Sequence, residues 1–268
     1  MPTRETSNRF AKKSFGQNFL VDRNIIDRII TALDLRAEDT VVEIGPGRGA
    51  LTEKLLKSAG RVIAIELDRD LIPQIRKQFS TYKNFILIER DALKVDFREV
   101  SSDNPQSKLA ANLPYYISTA ILQRLIDQRS AFSTMVLMFQ REVVDRIAAQ
   151  PGSSERGFLT VMVEAYMDIE KLFDVPSTAF RPEPKVWSSV ARFTPKNEVD
   201  IDADIFRDVV SSAFEQKRKT ILNNLRDKFA EARSGLEICN IDPSRRAETL
   251  TLSEWIALAH TLKRLKPN

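Results

Sequence analysis

Two short stretches place chemically able residues at close spacing. The first is VVEIGPGRGALTEKL, residues 41–55. It reads as a strand, a tight glycine turn and a helix. Glycines at 45, 47 and 49 give G-x-G-x-G, whereas a dinucleotide fingerprint is G-x-G-x-x-G. Such a turn lets the backbone approach a ligand closely, and it need not be holding a phosphate. An acid, Glu43, lies two residues before the first glycine. Glu66 ends RVIAIE, at roughly the twenty-residue offset where α/β nucleotide sites set a carboxylate on ribose hydroxyls. Asp91 follows the next apolar run, FILIER, where a carboxylate can accept from an adenine amino group. Any one acid at a strand end commonly caps a helix. Glycine, Glu66 and Asp91 at three successive strand ends instead trace the crevice where open α/β sheets bind ligands. The second stretch is NLPYYIST, residues 112–119. It offers a carboxamide (Asn112), a proline-stiffened backbone (Pro114) and adjacent aromatic faces (Tyr115, Tyr116) at the end of another apolar run.

These residues need elements to hold them. From about 40 to 140, short β-rich runs alternate with helical patterns. The expected strands are Thr40–Ile44, Arg61–Glu66, Phe85–Arg90, Lys108–Asn112 and Thr134–Phe139. STAILQRLIDQ sets Ile121, Leu122, Leu125 and Ile126 on one helical face, with Ser118 as the expected N-cap. Alternating strands and helices imply a parallel sheet covered on both sides. After Arg141 the texture changes. REVVDRIAAQPG and FLTVMVEAYM read as helices, and DIEKLFDVP and VWSSVARF as two strands of an antiparallel edge hairpin, joined by the Pro-rich STAFRPEPK. Beyond TPKNE the chain reads as wholly helical. The expected domains are 1–197, with the α/β sheet, and 198–268, small and all-α.

Composition removes whole classes of chemistry. Cys239 is the one cysteine and His260 the one histidine, so an internal disulfide is impossible and a histidine relay or cysteine-based metal site is not expected. WIALAHTLKRL places His260 on a helix as a structural residue. No apolar run reaches the roughly 18–20 residues of a membrane span, and no apolar signal core follows the N-terminus. The net charge is +4 and the pI about 9.1. Basic residues gather at Arg9, Lys12 and Lys13, at Lys217, Arg218 and Lys219, at Arg245 and Arg246, and at Lys263, Arg264 and Lys266. Several such clusters favour a polyanionic partner over solvated helix faces alone.

The glycine turn with its two ordered acids resembles the S-adenosylmethionine-dependent methyltransferase fold, a Rossmann-like seven-stranded sheet with an antiparallel edge hairpin. That resemblance directs attention to the amine such an enzyme would methylate. The lone pair of an exocyclic adenine amine is delocalised into the ring. Oxygen acceptors for its two hydrogens favour a pyramidal nitrogen with the lone pair freed. The Asn112 side chain and the Leu113 carbonyl can supply them, Pro114 limits backbone alternatives, and Tyr115 offers a stacking face worth about 1–3 kcal/mol.

FGQNFLVD, EIGPGRGALT, NLPYYIST, AFRPEPKVWSSVARF and FEQKRKTILNNLR together resemble the small-subunit ribosomal RNA adenine dimethyltransferase family, from about Arg9 to the last helix. The resemblance implies dimethylation of two adjacent adenosines near the 3′ end of 16S ribosomal RNA in the immature 30S subunit, with S-adenosylmethionine as cofactor and no metal. It implies a cytoplasmic, monomeric protein. It places Asn18 and Leu20 in the segment over the cofactor, Gly45 and Gly47 on its methionine side, Glu66 on its ribose, and Asp91 with Ala92 on its adenine. Asn112, which also borders the cofactor, then surrounds the reacting amine with Leu113, Pro114 and Tyr115, with Tyr116 and Phe180 as further base-pocket residues and Lys217 and Arg218 on the RNA. The related large-subunit (23S) methyltransferases share the cofactor motifs, and a non-catalytic assembly or transcription factor could keep the fold. The intact Gly45, Glu66, Asp91 and Asn112 speak against the latter.

Overall fold

The computed structural model describes residues 17–101, 106–196 and 200–266. The basic cluster at Arg9, Lys12 and Lys13 lies outside them. In chain order the strands are β1 (Phe19–Leu20), β2 (Thr40–Ile44), β3 (Arg61–Glu66), β4 (Phe85–Glu89), β5 (Ser107–Asn112), β6 (Phe132–Gln140), β7 (Met167–Val175), β8 (Phe180–Arg181) and β9 (Ser188–Pro195). Seven of them form one sheet in the order β4-β3-β2-β5-β6-β9-β7. β4, β3, β2, β5 and β6 pair in parallel, and β9 runs antiparallel to β6. β1 and β8 form a separate two-stranded antiparallel ribbon.

β2 is buried along its whole length, as a central parallel strand covered on both faces should be. Its register does the positioning. Ile44 lies opposite Ile65 on one side and Ala111 on the other. Gly45, Glu66 and Asn112, each one residue further on, therefore reach the same edge together. The chain winds outward from β2 through β3 to β4, then returns to β5 on the other side of β2. That reversal between β2 and β5 is the switch point at which such sheets open a crevice.

Helices seal the faces. Asp22 caps the helix Arg23–Leu33 by accepting from the Asn24 and Ile25 amides, and Ile25, Ile26, Ile29 and Leu33 turn inward. Leu51, Leu55 and Leu56 do the same on Ala50–Ser58, and Ile121, Leu122, Leu125 and Ile126 on Ser118–Asp127. Ser118 is not that helix's N-cap. Ile117 holds the cap position, and the Ser118 hydroxyl donates to the Tyr115 carbonyl at 3.0 Å. The turn that begins at Pro114 already closes there, through the Ile117 amide on the Pro114 carbonyl.

The chain divides into two compact units, one running through Val144 and resuming at Asp168–Pro195, the other Asp145–Met167 with Lys196 onward. The single cut expected at 197 thus meets a second group of residues from the middle of the chain. Their apolar helix Phe158–Tyr166 explains the grouping. Tyr166 packs edge-on against Phe206, with ring centroids 6.1 Å apart, and the Lys196 ammonium donates to the Glu164 carbonyl at 2.7 Å. Trp255, Leu258 and Leu262 fill the same helical unit from Leu252–Leu265. The helical run after Ala203 is broken. Ala203–Ala213 ends, and Thr220 caps a new helix, Ile221–Leu225. Lys217, Arg218 and Lys219 occupy the exposed turn between them. No helix among the described residues is long and apolar enough to cross a membrane.

Gly49 enters the helix Ala50–Ser58 at φ +79, and a Cβ there would sit 2.6 Å from the Phe79 ring. Gly49→Ala is expected to cost about 2–4 kcal/mol, from the left-handed backbone plus the clash. Urea unfolding measures it. A loss below about 1 kcal/mol would mean the ring moves aside freely.

Candidate active-site cleft

The C-terminal ends of β2 to β5 and the segment Gln17–Leu20 line one open cleft. Gly45, Gly47, Glu66, Asp91, Asn112 and Tyr116 line it. Gly45 and Gly47 both have positive φ, and a Cβ on Gly47 would lie 3.1 Å from the Phe19 ring. Glycine at 47 therefore lets Phe19 close over the loop. The Arg48 guanidinium stands 4.5 Å from the centre of that same ring.

Acids floor the cleft. Glu66 accepts from the Leu67 and Asp68 amides through Oε1 at 2.9 and 2.8 Å, and from the Gly47 amide through Oε2 at 3.4 Å. The long Gly47 contact leaves Oε2 able to accept from ligand hydroxyls. Burial pushes the Glu66 carboxyl above its usual range, against the pull of those three amides. Glu43 is fully buried, takes a 2.7 Å hydrogen bond from the Thr52 hydroxyl, and is raised to about 7, chiefly by burial and further by the charge of Glu66. Asp91 caps the short turn Ala92–Lys94 through Oδ1, which accepts from the Leu93 amide at 3.0 Å. It is both a cap and a cleft residue, because capping occupies one oxygen of two.

Asn112 sits at the β5 end. Its Nδ2 donates to the Asn18 carbonyl at 3.2 Å, which assigns Oδ1 as the acceptor end of the carboxamide. Asn18 thus contributes here through its backbone. Leu20 is buried and pairs with Phe180 across the β1–β8 ribbon. Tyr115 is half-buried, and its phenol shares a 2.8 Å hydrogen bond with Ser188 at the start of β9. Tyr116 is 56% exposed at the cleft. Its phenol is pushed up by burial and then by the charges of Asp91 and Glu66, so it borders the acids and does not pack in the core.

One sequence expectation lies elsewhere. Phe180 is completely buried and belongs to the hydrophobic core, not to the cleft lining. Its pairing with Leu20 turns the ring inward, as a loop anchor. Lys217 and Arg218 are in the helical unit. Conversely, Asp68, which accepts from Gln17 Nε2 at 2.8 Å, and Ser188 had no role in the motifs. Asp68 follows Glu66 too closely to carry a spacing signal, and Ser188 meets Tyr115 only through the fold. Among the described residues, no three or more His, Cys, Asp or Glu side chains gather to hold a metal ion.

The family model "Ribosomal RNA adenine dimethylase" matches residues 8–264. A ribosomal RNA small subunit methyltransferase A of Hahella chejuensis is 45% identical over 252 residues, covering 93% of this chain and 92% of that protein. The crystal structure of a dimethyladenosine transferase from Plasmodium falciparum superposes with a TM-score of 0.77 at 30% identity, covering 90% of this chain and 95% of that one. The 23S rRNA methyltransferase ErmE reaches 0.68 at 24% identity over 92% of this chain and 100% of its own, a likeness of fold alone.

Glu43 holds its proton to about pH 7 when folded, against a usual value of 4.5. The folded state binds more protons through that window, so stability falls as pH rises across it and levels off above. The shift corresponds to roughly 3 kcal/mol. Glu43→Gln, without ligand, should match the parent below the window and be more stable by about that amount above it. Urea midpoints measured across the pH range check this. Parallel curves would show that Glu43 ionises freely.

Proposed function

The chain belongs to the ribosomal RNA adenine dimethylase family, and from that premise we propose how its cleft works. It is an enzyme that methylates adenine in ribosomal RNA. We propose S-adenosylmethionine as the donor and, as target, the N6 amines of two adjacent adenosines near the 3′ end of 16S ribosomal RNA, in the immature small subunit in the cytoplasm.

The cleft chemistry fits a cationic, hydroxyl-bearing donor. Glu43 is a buried acid paired with a hydroxyl and not with a cation, so a positive ligand nearby offsets its burial cost. Glu66 Oε2 is suited to ribose hydroxyls and Asp91, beside Ala92, to an adenine amine, while Gly45 and Gly47 admit the ligand close to the backbone. Leu20 and the Asn18 backbone cover it. When bound, such a donor supplies an electrophilic methyl group.

The observation that carries the reading is the Asn112–Asn18 hydrogen bond. It turns Oδ1 of Asn112 into a fixed acceptor. Oδ1 and the Leu113 carbonyl accept the two amine hydrogens, which favours a pyramidal nitrogen and frees its lone pair. Pro114 holds that carbonyl in place. Tyr115 stacks on the base and Tyr116 borders it at the mouth. The base must leave its stack to arrive there. Catalysis then rests on positioning and on these acceptors, not on a strong general base. After one methylation a single N–H remains for the two acceptors. The C-terminal helices from Ala203 onward, with Lys217 and Arg218 exposed between them, are assigned to RNA phosphates.

Asn112→Ala should cut the single-turnover methyl-transfer rate by about 100-fold or more, with donor affinity changed by less than about threefold. Rapid-quench assays with a labelled methyl group, beside calorimetric titration of the donor, separate the two. Transfer at the parental rate would remove Asn112 from the mechanism.

A further inference from the structure

The Pro-rich connection into β9 ends in an exposed tryptophan. Trp187 is 48% exposed and the preceding Val186 is 39% exposed. Core demand does not explain an indole there. The Arg141 guanidinium stands 5.8 Å from the Trp187 ring centre, within cation–π range. The Arg141 amide also donates to the Trp187 carbonyl at 2.9 Å, so the pair is tied through the backbone as well. Arg141 faces the Asp174 carboxylate too. That acid is held below its usual range mainly by the Ser189 hydroxyl, and it also pairs with Lys171 at 3.0 Å. It therefore does not claim Arg141 alone.

The location matters as much as the chemistry. The residue after Trp187 is Ser188, which is buried and bonds the Tyr115 phenol. Ser188 lies opposite Gln140, the residue before Arg141, in the β6–β9 ladder. One covalent step thus separates the aromatic surface from the anchor of the residue that takes the target base. An exposed indole beside a guanidinium offers what a single-stranded nucleotide uses, a flat face for the base and a cation for the phosphate.

We propose that Trp187 and Arg141 form a second stacking platform, which binds a nucleotide flanking the target adenosine on the same RNA strand. This rests on the functional reading above. The flipped base leaves its neighbours without a stacking partner, and the platform supplies one. Its occupant is single-stranded RNA.

The probe is a short fluorescein-labelled single-stranded oligoadenylate, titrated into the full chain. The chain has two tryptophans, and Trp255 is fully buried in the helical unit, so an indole response to RNA reports Trp187. Wild-type tryptophan emission should quench in step with binding seen by anisotropy, and Trp187→Phe should abolish the quench. Trp187→Ala should weaken RNA binding by about 5- to 100-fold. Trp187→Phe, which keeps a flat ring, should stay within about threefold of wild type. Donor affinity should be unchanged in both. The proposal is overturned by unchanged RNA affinity in Trp187→Ala, or by an affinity loss in a protein whose indole emission never responds to RNA. Should wild type bind no oligoadenylate yet methylate small subunits, the platform alone fails. If wild type neither binds nor methylates, the functional reading fails and the platform with it.

Discussion

The register of three parallel strands is the constraint on which the site depends. Ile44 is level with Ile65 and with Ala111, so one residue later the chain delivers Gly45, Glu66 and Asn112 to a common edge. A slip of one residue in β5 would exchange its faces and withdraw Asn112 from that edge. The pairing is specified by burial, because Val41, Val42, Leu109 and Ala110 have no exposed surface. Core packing and catalytic geometry are therefore the same requirement. The register sets where Asn112 stands, and the Asn18 carbonyl sets which end of its amide accepts.

Electrostatics set the cost of this arrangement. Glu43 and Glu66 are both buried within one cleft, and burial raises the proton affinity of each. Without ligand, backbone amides and the Thr52 hydroxyl carry the compensation. Such compensation is partial, since hydroxyls and amides offset less of a buried charge than a cation does. On the proposed reading, a positively charged donor supplies the rest. The aromatic residues have a different task. Tyr115 is pinned by Ser188, whereas Tyr116 stays exposed beside the acids.

How far the sequence disclosed this follows from the range of the interactions involved. The glycine turn, Glu66, Asp91 and Asn112 were legible because each sits at the end of an apolar run, and strand periodicity is local. Strand β9, next to the sheet edge, was legible for the same reason. Phe180 was not: a Pro-rich loop does not reveal which way a ring points, and the inward direction comes from pairing with Leu20 about 160 residues earlier. Ser118 resembles a cap in sequence, but the turn from Pro114 begins the helix sooner. The grouping of Asp145–Met167 with the C-terminal helices depends on Tyr166 meeting Phe206, a contact that no local pattern announces. The Lys217–Lys219 cluster fell inside a run that reads as wholly helical, yet the helix ends before it and Thr220 caps a new one after it.

On the proposed reading, one strand edge joins a methyl donor to an adenine amine of small-subunit RNA. Mass spectrometry of RNA from immature small subunits and from large subunits, each incubated with enzyme and S-adenosylmethionine, tests it most directly. The expected result is dimethyladenosine at two adjacent positions near the 3′ end of the small-subunit RNA, and none in the large-subunit RNA. Dimethyladenosine confined to the large subunit, or no methylation of either RNA, would contradict it.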